Sequence, residues 1–178
     1  HRTQAGVLQP SLAWRSGSLG ERNIFLQRQQ NEPGQLSVDI LLDASASQSG
    51  QQEKVAVQGY LIAAALTRCQ IPVRVAGFCS VSGGTVLRVF RDYQETDRNE
   101  MIFDYVSAGW NRDGLALRAM RWLMAQSSGD RRLLIVLTDA SPNDSHKILP
   151  SGKIPLSRDY DGQPGIDDTA AEVRALRA

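Results

Sequence analysis

The sequence predicts an α/β domain with a doubly wound, mostly parallel sheet and one antiparallel edge strand. Three observations carry that expectation. Two nearly continuous apolar runs, Ser37–Asp43 and Leu133–Asp139, each end in a carboxylate, as central parallel strands do. Segments with helical apolar spacing separate the strand-like runs. Ser82-Gly83-Gly84 joins two β-rich runs and marks a hairpin.

Residues 1–35 are rich in Gln, Gly, Ser and Pro and read as an arm or linker. Within it, Asn23–Gln27 reads as a short strand and Asn31–Gly34 as a turn. The domain proper spans 36–178. Its first strand ends at Asp43, and a helix follows from about Gln51 to Thr67, with Val55, Gly59, Ile62 and Leu66 on one face. Pro72–Phe78 is the second strand, and Thr85–Phe90 is the third, at the antiparallel edge. Asn99–Val106 reads as a short helix. Gly114 to about Gln126 is a strong helix, expected to turn Leu115, Ala119 and Trp122 inward. Arg131–Asp139 is expected as a buried strand, followed by a long loop over 140–164. A last helix starts near Ile166, with Ala170, Val173 and Leu176 inward. The alternation then calls for another strand, so the domain reads as missing its C-terminal part. The alternative is a small sheet whose final helix caps an open edge.

Composition narrows the function classes. The chain has 178 residues, 42% hydrophobic and 22% charged, which suits one globular domain. No apolar run approaches the roughly 18 residues of a membrane helix, and His1–Gln4 carries no apolar signal-peptide core. A net charge of +1 leaves no nucleic-acid footprint. Cys69 and Cys79 lack metal-ligand spacing and are expected as buried thiols in a reducing, cytoplasmic setting.

The chemistry is expected where open α/β sheets place it, at the carboxyl ends of the strands. Asp43-Ala44-Ser45-Ala46-Ser47 turns one carboxylate and two hydroxyls toward one point. Such oxygens are hard ligands, suited to Mg²⁺, Mn²⁺ or Ca²⁺ rather than zinc. Trp110–Gly114 supplies another polar side chain, from Asn111 or Asp113, and Asp139 closes the ring directly or through water.

In that order, D-x-S-x-S after a buried strand, a loop before a Gly-x-Ala-Leu helix, and Thr-Asp after a later strand resemble a von Willebrand factor A (vWA) domain and its metal-ion-dependent adhesion site. Two departures stand out. Asn111 occupies the place where most such domains carry Thr, and Thr138-Asp139-Ala140 stands where Thr-Asp-Gly is usual. The combination of Asn111–Arg118, Leu133–Asp144 and Gly165–Thr169 is similar to bacterial nitric oxide reductase activation proteins. It is more distantly similar to the vWA subunit of aerobic cobalt chelatase. The likeness covers about 36–178.

The resemblance implies a binding module beside a MoxR-type AAA+ ATPase that remodels or loads a metalloenzyme. The chain itself has no G-x-x-x-x-G-K-[ST] phosphate loop. A divalent ion held by Asp43, Ser45 and Ser47 would leave an open position for an acidic side chain of a partner. Arg112, Asn143, Asp144 and Lys147 are candidates for the partner-binding rim, with Arg158 as a further basic residue.

Blander readings attach to the same residues. Ser45 and Ser47 can simply cap a helix, and Asp113 can do the same before Gly114. Asn143 and Asp144 read first as a turn. Asp39 belongs at an exposed strand end or beside an arginine. Trp110 and Trp122 read as packing residues, His146 as a surface loop residue, and Arg118 and Arg121 as a solvated face. The enzymatic alternative is a Mg²⁺-dependent phosphohydrolase with Asp43 as nucleophile. Against it, Ser45 stands where a dehalogenase-type enzyme needs its general acid, and no G-x-S-x-G elbow exists.

Overall fold

The computed structural model describes residues 2–3, 7–8, 25–26, 35–127, 129–149 and 158–177. The chain divides into two units, His1–Gly34 and Gln35–Ala178. In the first, β1 (Arg2–Thr3) and β2 (Val7–Leu8) both pair antiparallel with β3 (Phe25–Leu26), which falls inside the strand expected at 23–27. The turn expected at 31–34 lies outside the described residues.

The second unit is built on four strands: β4 (Leu36–Asp43), β5 (Val73–Val81), β6 (Gly84–Arg91) and β7 (Arg131–Leu137). Their order is β6-β5-β4-β7. β4 runs parallel to β5 and β7, and β6 is antiparallel to β5, as the hairpin signal predicts. Helix α1 (Gln52–Arg68) lies on one face; α2 (Asp113–Met124) and α3 (Gln163–Arg177) lie on the other side. Short 3-10 turns occupy Ala46–Gly50 and Asn99–Asp104.

β4 reads as continuously apolar because both of its faces are covered. Val38, Ile40 and Leu42 pack with Ala56 and Ala63 of α1, Ile102 and Tyr105. Leu41 points the other way, with Ala76, Phe78, Ala116, Leu117 and Met120. Fully burying a side chain such as Ile40 or Leu41 stabilises by about 1.5–3 kcal/mol. Gly59 lets α1 approach closely: a Cβ there would sit 3.2 Å from the Leu42 methyls. Asp39 is fully buried rather than at an exposed end, and opposite it in the parallel register stands Arg74. Arg74 Nε donates to its carboxylate at 2.7 Å and the Tyr93 hydroxyl at 2.6 Å. Burial nonetheless pushes the Asp39 carboxyl above its ordinary range, with Tyr93 and Arg74 pulling it back.

Several expectations need correction. β7 is an edge strand, with β4 as its neighbour, so Leu133 and Val136 remain 47% and 37% exposed. On α2 the buried stripe is Ala116, Leu117, Met120 and Met124, while Trp122 is 67% exposed. That helix carries two apolar stripes, and spacing alone does not say which one meets the sheet. α3 docks largely through polar groups. Its Val173 is half-exposed, while buried Glu172 accepts bonds from Arg118 and Arg121, and Arg118 also reaches Asp168. Those arginines are therefore a polar seam between helices rather than a free face. The loop expected over 140–164 contains a hairpin of β8 (Asp144–Ile148) and β9 (Arg158–Tyr160). Cys69 is exposed and Cys79 half-buried, and both are free thiols. Among the described residues, no helix is long and apolar enough to cross a membrane.

Candidate metal centre

β4 delivers Asp43 to the carboxyl end of the sheet, where it is fully buried. The parallel pairing with β5 extends one bond beyond it. Ala44 N–H donates to the Phe78 carbonyl at 2.7 Å, and the Tyr105 hydroxyl donates to the Asp43 carbonyl at 2.5 Å. Asp43 Oδ1 accepts the Ser45 N–H at 2.9 Å, a short-range turn bond typical of Asp. Its Oδ2 accepts the Thr138 hydroxyl at 2.8 Å, across from the end of β7.

The two serines do not act as helix caps. Ser45 precedes the 3-10 turn without a side-chain capping bond. Its Oγ lies 2.9 Å from Ser47 Oγ, and the Ser47 hydroxyl donates to Asp139 Oδ2 at 2.8 Å. Thus Ser45, Ser47 and Asp139 form one chain of hydroxyl and carboxylate oxygens, and Asp43 is tied to it through the Ser45 N–H. Ala140 takes a positive φ of 56°, and Ser141 N–H donates back to Asp139 Oδ1 at 3.2 Å.

The second loop is held differently. Asn111 exchanges two backbone bonds with Asn143, at 2.9 and 3.0 Å. Its side-chain amide donates to the Ser141 carbonyl at 3.0 Å and accepts the Asn143 N–H at 3.2 Å. Asn111 therefore clamps the third loop beside the ring. Asp113 is the first residue of α2, is buried, and forms no capping bond. Its one side-chain partner is a long 3.4 Å contact from the Asn111 amide. Burial, then the nearby Asp43 carboxylate, push its carboxyl up to about 6, with Asp139 adding to the effect.

Among the described residues, none of the ion pairs involves Asp43, Asp113 or Asp139. Three carboxylates thus share a region with serine and threonine hydroxyls and no neutralising base. That donor set suits a hard divalent cation. Among the described residues no three His, Cys, Asp or Glu side chains are grouped so as to hold a metal ion by themselves, so hydroxyl oxygens would have to complete the coordination.

The ring opens into a cleft of about 380 Å³ lined by Ser45, Ser47, Asp139, Asn111, Asn143 and Trp110, among others. Asn111 faces this cleft, whereas Asp113 lines apolar hollows behind it, with Ala140 and Val173. Of the expected rim, Asn143 lines the cleft and Lys147 is exposed, 3.8 Å from Asp159. Arg112 and Asp144 do not form a rim. They are buried against each other, Nε to Oδ2 at 2.5 Å. Two buried charges facing each other satisfy one another and leave nothing for a partner. The Arg158 side chain lies outside the described residues. Sequence reasoning missed Thr138, although it adjoins Asp139 in the motif, and took the cleft residue Trp110 for packing.

The family profile described as Cobalamin biosynthesis protein CobT VWA domain matches residues 24–112, half of the chain. The match includes Asp43, Ser45, Ser47 and Asn111. Among solved structures, the vWF domain of the type V pili tip protein Mfa5 from Porphyromonas gingivalis is similar at 17% identity and a TM-score of 0.50. The similarity covers 68% of this chain and 42% of that one. The pilus adhesin SpaC from Lactobacillus rhamnosus GG, in its open conformation, is similar at 16% identity and a TM-score of 0.55. Here 79% of this chain and 22% of that one are covered. The chain thus spans less than half the length of either, and at these identities the likeness is one of fold. No curated protein matches the chain.

Proposed function

The chain belongs to the vWA-domain family of the cobalamin biosynthesis protein CobT, and from that premise we propose that it binds a divalent cation and, through it, a protein partner. The observation that carries the proposal is the chain of Ser45, Ser47 and Asp139 oxygens in the wall of a cleft, with buried Asp43 tied to it through the Ser45 N–H, a third carboxylate nearby and no base among them. Asp43 and Asp139 would supply charge and the two serines neutral oxygens, with Asn111 in the cleft and Asp113 as added negative charge. Mg²⁺ fits such oxygens best, with Mn²⁺ or Ca²⁺ as substitutes. A bound ion with few direct carboxylates supplies an electrophilic open position, and an acidic side chain of the partner is the natural occupant.

The biological setting we propose is a bacterial, cytoplasmic maturation system. In it the domain is the adaptor of a MoxR-type AAA+ ATPase that activates or loads a metalloenzyme, in the manner of nitric oxide reductase activation proteins. Membership of a cobalamin-biosynthesis family and the ordered N-x-D-G and L-T-D-x-x-P-N-D motifs support this reading. We read the chain as a binding module and not an enzyme. A phosphohydrolase would need Asp43 free to attack, yet the residue is fully buried and both carboxylate oxygens accept hydrogen bonds.

Calorimetric titration of the chelator-treated chain with Mg²⁺, Mn²⁺ and Ca²⁺ tests the proposal, with Asp43→Ala alongside. Saturable binding that disappears in a folded Asp43→Ala chain is the expected result. Equal binding by both chains, or by neither even with an acidic peptide present, would refute it.

A further inference from the structure

The cleft beside the ring has a second wall whose chemistry is unlike the first. Trp110 is 43% exposed there, next to exposed Ala46 and to Gly109. A single exposed aromatic is ordinary on a protein surface, but this one stands in the wall of the cleft beside the oxygen ring. Its backbone, by contrast, is fixed. Trp110 N–H donates to the Ser80 carbonyl at 2.9 Å, and its carbonyl accepts the Ser80 N–H at 2.7 Å. Gly109 hands its carbonyl to Ala46 N–H at 3.0 Å, which ties the same strap to the serine loop. The fit is tight enough to demand glycine: φ is +67°, and a Cβ would lie 2.4 Å from the Ser80 carbonyl oxygen. Exposed Val81 extends the apolar surface, since its Cγ2 would lie 3.4 Å from that Cβ.

We propose that Trp110 is a specificity-determining residue of the cleft, and that the partner segment carries a large apolar side chain directly beside the acidic residue. This inference rests on the adhesion reading above. The argument is one of geometry and chemical match. One wall is a ring of hard oxygens that selects a carboxylate through a cation. The other carries an aromatic side chain on a hydrogen-bonded strap, and a volume of about 380 Å³ exceeds what a single carboxylate needs. Rigid, partly exposed aromatics at the centre of a contact carry a disproportionate share of binding, because little conformational entropy is lost on docking. An aspartate followed by glycine would fill the polar side alone. An aspartate followed by leucine would fill both.

The test uses the whole chain, saturated with Mg²⁺ or Mn²⁺, and two blocked peptides that differ only in having leucine or glycine after a single aspartate. The leucine peptide is expected to bind at least about tenfold more tightly. In Trp110→Ala that preference collapses, and in Trp110→Phe it is partly retained. Cation affinity, titrated without peptide, stays within about threefold in both variants, because the bonds to Ser80 are made by the backbone. Equal affinity of wild type for the two peptides, or an unchanged preference in Trp110→Ala, overturns the proposal while leaving the cation site standing. Loss of cation binding in wild type overturns the adhesion reading and this inference with it.

Discussion

Replacing Asp144 with alanine should cost the fold about 3 kcal/mol. The residue is fully buried, and its carboxylate receives Arg112 Nε at 2.5 Å, the His146 N–H at 2.9 Å and, at 3.3 Å, His146 Nδ1. The Arg112 side chain is itself 9% exposed. Removing one member of such a pair leaves an uncompensated buried charge, which costs about 3–5 kcal/mol. The lower end applies because Arg112 keeps a bond to the His146 carbonyl at 2.8 Å and its place over the Tyr160 ring, 5.1 Å from the centroid. For a chain of this size, about 3 kcal/mol corresponds to a fall in Tm of about 6–12 °C. Thermal unfolding followed by circular dichroism measures it. The double replacement Arg112→Met with Asp144→Leu should recover most of the loss, because it removes both buried charges and puts apolar groups in their place. A fall of less than about 2 °C for Asp144→Ala would refute the reasoning. So would a double variant no more stable than the single one.

Two further outcomes follow from the same geometry. Thr138→Val keeps the shape at the end of β7 but leaves Asp43 Oδ2 without its hydroxyl donor, so cation affinity should fall about tenfold in a chain that still folds, as titration calorimetry would show. Stability should also depend on acid pH through Asp144. Burial alone would raise its pKa, but the His146 N–H and Arg112 hold its carboxyl below the ordinary range. A depressed folded-state pKa contributes stability above the unfolded value of about 3.9, lost as pH falls toward the folded value. Urea midpoints measured from about pH 6 down to 3 should therefore decline more steeply in wild type than in the double variant.

The sequence by itself determined the first strand, the antiparallel edge and the Asp43–Ser47 loop. Ser37–Asp43 had to be a central strand, since a run apolar on both alternations is stable only when covered on both faces, as Leu41 and Leu42 now are. The chain direction of such a strand placed Asp43 at its end, and the short spacing to Ser45 and Ser47 kept all three in one loop. Ser82-Gly83-Gly84 likewise fixed the antiparallel edge, because a tight turn leaves the chain no other return. What the tertiary structure decided were the choices that depend on a neighbour far away in sequence. α2 offers two apolar stripes, and only packing on Leu41, Ala76 and Phe78 selects Ala116 and Met120 over Trp122. Arg112 and Asp144 look like a charged rim until the hairpin brings them together and burial makes them an internal pair. Asn111 has the composition of a ligand, yet the bridge to Asn143 engages its amide in holding the third loop. Trp110 has the composition of a core residue, yet its backbone bonds to Ser80 place the residue in the wall of the cleft. Local sequence sets periodicity and spacing, but the partner of a charge or an aromatic ring is fixed only when distant segments meet.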